Sequence, residues 1–288
     1  MNKNQEPTIV LLCYARSGGT VFSSAFSSLP NVVLVSEVNP NHNAKGSIRE
    51  QLKNWFGYEI AQGSYDEMAN AASEICQKEG KKFIIRDFSF IDFTPHKLNA
   101  FAPSKSFSTL NILKDSVPVQ PIALVRNAFD VWISRGCPPN FSENYLDYVK
   151  ALLSLGIPIY RYEDFCKKPE QTIQKVCEKT GIVFSPDFLQ KSYSNQKITG
   201  DNDLQNPSRG SRLSTIQPLK RKRLPHFLVK KAEDDLQMAE ANKLLGYPAE
   251  FYDSEFENAP SFISLEIKWF LKRLFLKYPT DLYWFLHK

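Results

Sequence analysis

The chain has 288 residues, enough for one large domain or two small ones, and can bury about three quarters of its unfolded surface without disulfides or metal. Its net charge of +5 suits an anionic small ligand and falls short of a dedicated nucleic-acid binder. A hydrophobic content of 42% with a mean hydropathy of −0.35 excludes both a multi-span membrane protein and a disordered chain.

Residues 8–14 (TIVLLCY) read as a buried strand, short and continuously apolar. The small residues Ser17-Gly18-Gly19-Thr20 follow, then a predicted helix over 21–28 that stops near Pro30. Residues 32–35 (VVLV) form a second strand, and 47–79 read as mostly helical. Further short strands are predicted at 83–86, 122–125 and 157–160, with helices at 128–135 and at 163–180, the latter ended by Gly181. Residues 195–225 are rich in Asn, Asp, Gly, Pro, Ser and basic residues and read as a long loop, after which helix resumes over 228–245. Strands separated by helices predict an α/β fold with a central, mainly parallel five-stranded sheet flanked by helices.

One α/β domain is expected over 1–258, with 259–288 as an amphipathic helical tail. Within the tail, Ile263, Ile267, Phe270, Leu271 and Leu274 share one helix face, and Phe262, Leu265, Trp269 and Leu276 another. If one stripe packs on the body, the second is left for self-association as a homo-oligomer or for a membrane surface; packing of both is the plain alternative.

The five cysteines (Cys13, Cys76, Cys137, Cys166, Cys177) are widely spaced without a CxxC, so neither a zinc site nor a disulfide framework is expected. With no secretory leader and no run of about 18 apolar residues, the expectation is a cytoplasmic protein in a reducing compartment. His42, His96, His226 and His287 are scattered, and no metal is expected.

The segment from Cys13 to Thr20 lies between a buried strand and a helix, where converging backbone N–H groups and the helix N-terminus make an anion nest. It is not a Walker A loop: Cys13 stands where the first glycine belongs and Gly19 where the lysine belongs. Arg16 supplies the side-chain cation instead. A second segment ends the fourth strand at Arg126 and places Ser134 about two turns into the next helix, so both can face one phosphate.

Tyr14-Ala15-Arg16-Ser17-Gly18-Gly19-Thr20 resembles the 5′-phosphosulfate loop of the sulfotransferase superfamily, whose sulfuryl donor is 3′-phosphoadenosine 5′-phosphosulfate (PAPS). Residues 124–135 (LVRNAFDVWISR) resemble that family's 3′-phosphate motif. Tyr160-Arg161-Tyr162-Glu163-Asp164-Phe165 is similar to its strand-end segment, where Glu163 or Asp164 can cap the next helix. Residues 198–202 and Ser208-Arg209-Gly210 are similar to the late loop that closes over the nucleotide.

The resemblance implies a P-loop NTPase-like three-layer sandwich. It implies PAPS as co-substrate and metal-independent, in-line sulfuryl transfer to an acceptor hydroxyl, a carbohydrate being one candidate, with a carboxylate as base. In that reading Arg16 stabilises the leaving oxygen. The N–H groups of Ser17, Gly18, Gly19 and Thr20 and the Thr20 hydroxyl hold the 5′ side, and Arg126, Ser134, Ser208, Arg209 and Gly210 hold the 3′-phosphate. Glu37, just after the second strand, is the first candidate for the base, because strand C-termini share one edge of a parallel sheet. Asp87 at the end of the third strand is the rival, with His42 and His96 behind it, while Arg86 binds an acceptor or pairs with a carboxylate.

Two other readings stay open: a P-loop kinase, disfavoured by the missing lysine, and a non-catalytic nucleotide-binding scaffold. The acceptor would be recognised by loops within 38–70, 88–118 and 136–150. The run Lys220-Arg221-Lys222-Arg223 is read as a solvated basic face, or as an attractor for an anionic acceptor.

Overall fold

The computed structural model describes residues 5–42, 46–95, 102–190, 216–219, 221 and 224–251. All six residues of β1 (Thr8–Cys13) are buried. A strand apolar on both faces must be covered on both, which places it inside a sheet between helical layers. β1 is the middle of five parallel strands in the order β2-β3-β1-β4-β5, with β2 (Val32–Val38), β3 (Lys82–Asp87), β4 (Val119–Val125) and β5 (Ile159–Arg161). β4 starts three residues before the predicted strand because pairing runs on through Pro121, opposite Val10.

The helices form two layers. On one face α1 (Gly19–Ser27), α7 (Tyr162–Lys167) and α8 (Pro169–Thr180) pack Phe22, Phe26, Phe165, Ile173 and Val176 against Ile9, Leu11 and Ile84. On the other lie α2 (Ile48–Phe56), α3 (Tyr65–Lys78), α4 (Ser108–Leu113), α5 (Ala128–Ser134), α6 (Phe141–Ser154), α9 (His226–Glu233) and α10 (Leu236–Leu244). β1 therefore sends its chain over one face, while its neighbours β3 and β4 send theirs over the other. That divergence opens a crevice above the C-terminal end of β1.

Three predicted helices are each broken in two, for local reasons. The stretch 47–79 divides at Gly57, which takes a left-handed φ of 74°, and both halves open with a Ser-x-x-Glu capping box, Ser47/Glu50 and Ser64/Glu67. The stretch 163–180 divides at Lys168, which Pro169 holds out of the helical region (φ −140°, ψ 65°). The stretch 228–245 divides before Asp235, whose carboxylate accepts from the Met238 N–H and caps α10. Of residues 136–150, 136–140 are the loop, and the part from Phe141 onward belongs to the 14-residue α6. Its Phe141, Tyr145, Tyr148, Val149 and Leu152 recur at helical spacing and are buried. Among the described residues no helix is long and apolar enough to cross a membrane. The tail 259–288 lies outside them.

Candidate functional site

The loop after β1 is tight because Arg16 and Gly18 both take left-handed backbone angles, φ 75° and 88°. The Ser17 N–H donates to the Tyr14 carbonyl (3.1 Å) and closes the turn. The first helical bond runs from the Phe22 N–H to the Gly18 carbonyl (3.1 Å). The amides of Gly19 and Thr20 thus belong to the donors that a helix start leaves for an anion.

There is no room for side chains under this loop. A Cβ on Gly18 would lie 2.2 Å from Tyr162 Cδ2, and one on Gly19 would lie 2.7 Å from Cys13 Sγ and 2.9 Å from Arg86 Nε. Gly18→Ala is expected to cost about 2–4 kcal/mol, the sum of a left-handed alanine and an overpacked contact. Urea unfolding of the variant measures it; an unchanged midpoint would refute the close seating on Tyr162.

The second segment meets this loop. Arg126, at the end of β4, donates to the Arg16 carbonyl (3.2 Å), and its guanidinium lies 4.8 Å over the Tyr162 ring. Arg16 Nε donates to Ser134 Oγ (3.1 Å), joining residues 118 positions apart. Arg126 is buried, its Nε has no hydrogen-bond partner among the described residues, and no carboxylate there lies within ion-pair distance of it.

The support behind Arg126 was not visible in the sequence. The Tyr145 hydroxyl donates to the Arg126 carbonyl (2.8 Å), and the Ala128 N–H donates to Asn242 Oδ1 (2.7 Å). Glu163 lies in the first turn of α7, and its carboxylate also reaches back to β4's exit. It accepts from the Asn127 N–H (3.4 Å) and the Tyr247 hydroxyl (2.5 Å), and so fixes the turn after β4. No spacing rule could have found these partners, because each comes from a different element.

Glu37 is set by a β-bulge. Ser36 pairs with Arg86 and Val38 with Asp87, so Glu37 is the extra residue, at φ 56°. Its carboxylate receives Arg86 Nη2 (3.1 Å), both side chains being about nine-tenths buried. Arg86 Nη1 donates to Ser36 Oγ (3.2 Å) and Thr20 Oγ1 (3.4 Å). Glu37 is thus linked to Thr20 of the loop after β1, through Arg86. Arg86 pairs with a carboxylate, one of its two expected roles. Burial pushes the Cys13 thiol upward more than Arg86 lowers it, so Cys13 is packing rather than a nucleophile.

Asp87 follows Arg86 on the strand and therefore points to the opposite sheet face. There it accepts from Thr109 Oγ1 (2.7 Å) and Asn39 Nδ2 (3.0 Å) and is 1% exposed. Phe90, Phe93, Phe141 and Tyr145 are buried in the core, while half-buried Phe88 stacks on His42 at 5.1 Å. Arg221 is not part of a freely solvated run: it grips Asp130 of α5 (2.7 Å) and stacks on Phe251 (5.1 Å). Ser208, Arg209, Gly210, His96, Lys220, Lys222 and Arg223 lie outside the described residues.

Among solved structures, the sulfotransferase domain from the curacin biosynthetic pathway matches over 85% of this chain and 99% of its own, with a TM-score of 0.51 at 15% identity. This chain has the sulfotransferase fold. Two other solved structures with the sulfotransferase name match with lower TM-scores. They are the enzyme from Alicyclobacillus acidocaldarius (12% identity, 84% and 96% of the two chains, TM-score 0.40) and mouse SULT7A1 complexed with PAP (16%, 64% and 62%, 0.36). No family model and no curated protein matches the chain. The parallel sheet and the helix N-terminus above β1 are the parts of the sulfotransferase fold on which the site just described is built.

Proposed function

We propose that this protein is a PAPS-dependent sulfotransferase acting on an acceptor hydroxyl. The observation that carries the reading is the junction of two distant segments, Arg126 on the Arg16 carbonyl and Arg16 on Ser134, over a glycine helix start that excludes side chains. The fit to the donor rests on two features: buried Arg126, whose Nε has no partner among the described residues, and the Gly19 and Thr20 amides at the start of α1.

When bound, PAPS supplies the sulfuryl group. Arg126 and Ser134 would hold its 3′-phosphate, and the Gly19 and Thr20 amides with the Thr20 hydroxyl its 5′ side. Arg16, on the same loop, lends positive charge where the leaving oxygen gains negative charge. Glu37 accepts the proton from the acceptor hydroxyl, and Arg86 keeps its carboxylate turned toward Thr20. A sugar hydroxyl is the acceptor class proposed, in a protein that works in the cytoplasm.

The test is transfer of label from ³⁵S-PAPS to pooled glycans, phenols and lipids, in EDTA. Transfer from PAPS with none from ATP is expected. Failure of the wild type to prefer adenosine 3′,5′-bisphosphate (PAP) over AMP in a binding titration would refute the assignment.

A further inference from the structure

We propose that the buried knot Asp87–Asn39–Asp92 positions the Glu37 end of β2, and that it does so only while one proton remains between its two carboxyls. The proposal rests on the reading of Glu37 as the base. Asp87 is in this view a positioning residue.

Four segments meet in the knot. Asn39 Nδ2 donates to both Asp87 Oδ1 (3.0 Å) and Asp92 Oδ2 (3.3 Å). Thr109 Oγ1 donates to Asp87 Oδ1 (2.7 Å). The Ser108 N–H and hydroxyl donate to Asp92 (3.0 and 2.7 Å), as does Asn41 Nδ2 (3.3 Å). Asn39 Oδ1 in turn accepts the Asn41 N–H (2.9 Å). The knot therefore ties the loop after β2 to the end of β3 and to the start of α4. Asn39 stands two residues from Glu37, whose left-handed conformation is the kind of strained backbone that surrounding structure must hold.

Every hydrogen-bond partner named is uncharged. Asp87 and Asp92 are each 1% exposed, and the Ser89 hydroxyl faces Asp87 as a further uncharged donor. Two buried carboxylates served by one shared amide repel each other, and a proton on Asp87 removes one of the two charges.

Arg86 and Lys105, cations on segments adjoining the knot, are engaged elsewhere. Arg86 points to the other face and is spent on Glu37. Lys105 gives its backbone N–H to the Asp92 carbonyl (2.9 Å) but its ammonium to Asp147 (2.8 Å). Tyr65 on α3, Tyr148 on α6 and Cys13 on β1 are pushed upward by burial and, less, by the charge of Asp87, so they stay neutral. His42, on the loop after β2, stacks on Phe88. Burial and then the charge of Asp92 push the Asp87 carboxyl up to about 7, and burial pushes Asp92 upward as well. A group raised on folding stabilises at low pH, and that contribution is lost as pH rises through its folded value. The knot should therefore loosen as the pH rises through about 7.

The experiment compares wild type, Asp87→Asn and Asp87→Ala from pH 5.5 to 8.5, by thermal unfolding, by PAP titration and by PAPS turnover. Asparagine supplies the polar group without the charge. Asp87→Asn is expected to match the wild-type Tm at pH 5.5 and exceed it at pH 8.5. Wild-type kcat should fall by roughly tenfold or more across the alkaline limb, a fall that Asp87→Asn lacks, while PAP affinity stays unchanged. Asp87→Ala should lower kcat at every pH. Asp92→Asn, which removes the other charge, should reproduce the flattened profile and serves if Asp87→Asn does not fold. A Tm difference that stays constant with pH overturns the proposal. So does a hundredfold loss of kcat in Asp87→Asn at pH 6, which would put Asp87 in the chemistry. If the wild type binds no PAP, the sulfotransferase reading fails, and the Tm comparison still decides the knot.

Discussion

Replacing Arg126 by alanine should erase at least about a hundredfold preference for PAP over AMP. The two nucleotides differ by the 3′-phosphate, so their affinity difference isolates the groups that hold it. A charge-assisted hydrogen bond to phosphate contributes about 1.5–3 kcal/mol, and roughly 3 kcal/mol in total already exceeds a hundredfold. Arg126 is well placed to deliver this because it is buried, stacked on Tyr162 and tied to the Arg16 carbonyl. Its guanidinium is therefore ordered before any ligand arrives. AMP affinity should change little in the variant, and Arg126→Lys should recover only part of the loss, since lysine keeps the charge without the planar pair of donors. Arg16→Ala should instead lower turnover more than PAP affinity. Calorimetric titration of both nucleotides against the variants measures this. An Arg126→Ala protein that still prefers PAP as strongly as the wild type would remove Arg126 from the phosphate site.

Glu37→Gln should lower kcat by about 10²–10⁴ while leaving PAP affinity nearly unchanged. Glutamine keeps the size and one hydrogen bond to Arg86 but cannot take a proton. The substitution also leaves a buried guanidinium without its carboxylate, so a loss of stability accompanies the loss of rate. The two effects separate when kcat is measured well below the variant's own Tm. Near-normal turnover in Glu37→Gln would move the base elsewhere.

The parts of this molecule that the sequence shows best are those written in neighbouring residues. β1 is a run of buried, mostly apolar side chains, the loop after it is a cluster of small ones, and Arg126 and Ser134 are spaced along one strand end and helix. Helix breaks were also written locally, in Pro169 and in the two Ser-x-x-Glu boxes, but are easily passed over when periodicity alone is followed. The bulge at Glu37 carries no such signal. The apolar run ends at Val35, and only the register against β3 shows that the strand goes on to Val38 with Glu37 expelled from the ladder. The opposite destinations of Arg86 and Asp87 follow from simple strand alternation, but which face holds the phosphate loop depends on the handedness of the first crossover.

The central place of β1 has a consequence for how the protein is made. The strand leaves the ribosome first, yet its partner β4 ends only at Val125. At about 5–20 residues per second, Thr8–Cys13 waits roughly 5–25 s for that edge to be covered. During this interval a six-residue, uncharged, β-prone segment has an open side, the kind of sequence that pairs with other chains. Slow synthesis or a high concentration of nascent chains therefore favours aggregation, while the finished sheet, with β1 enclosed between β3 and β4, offers no such edge there.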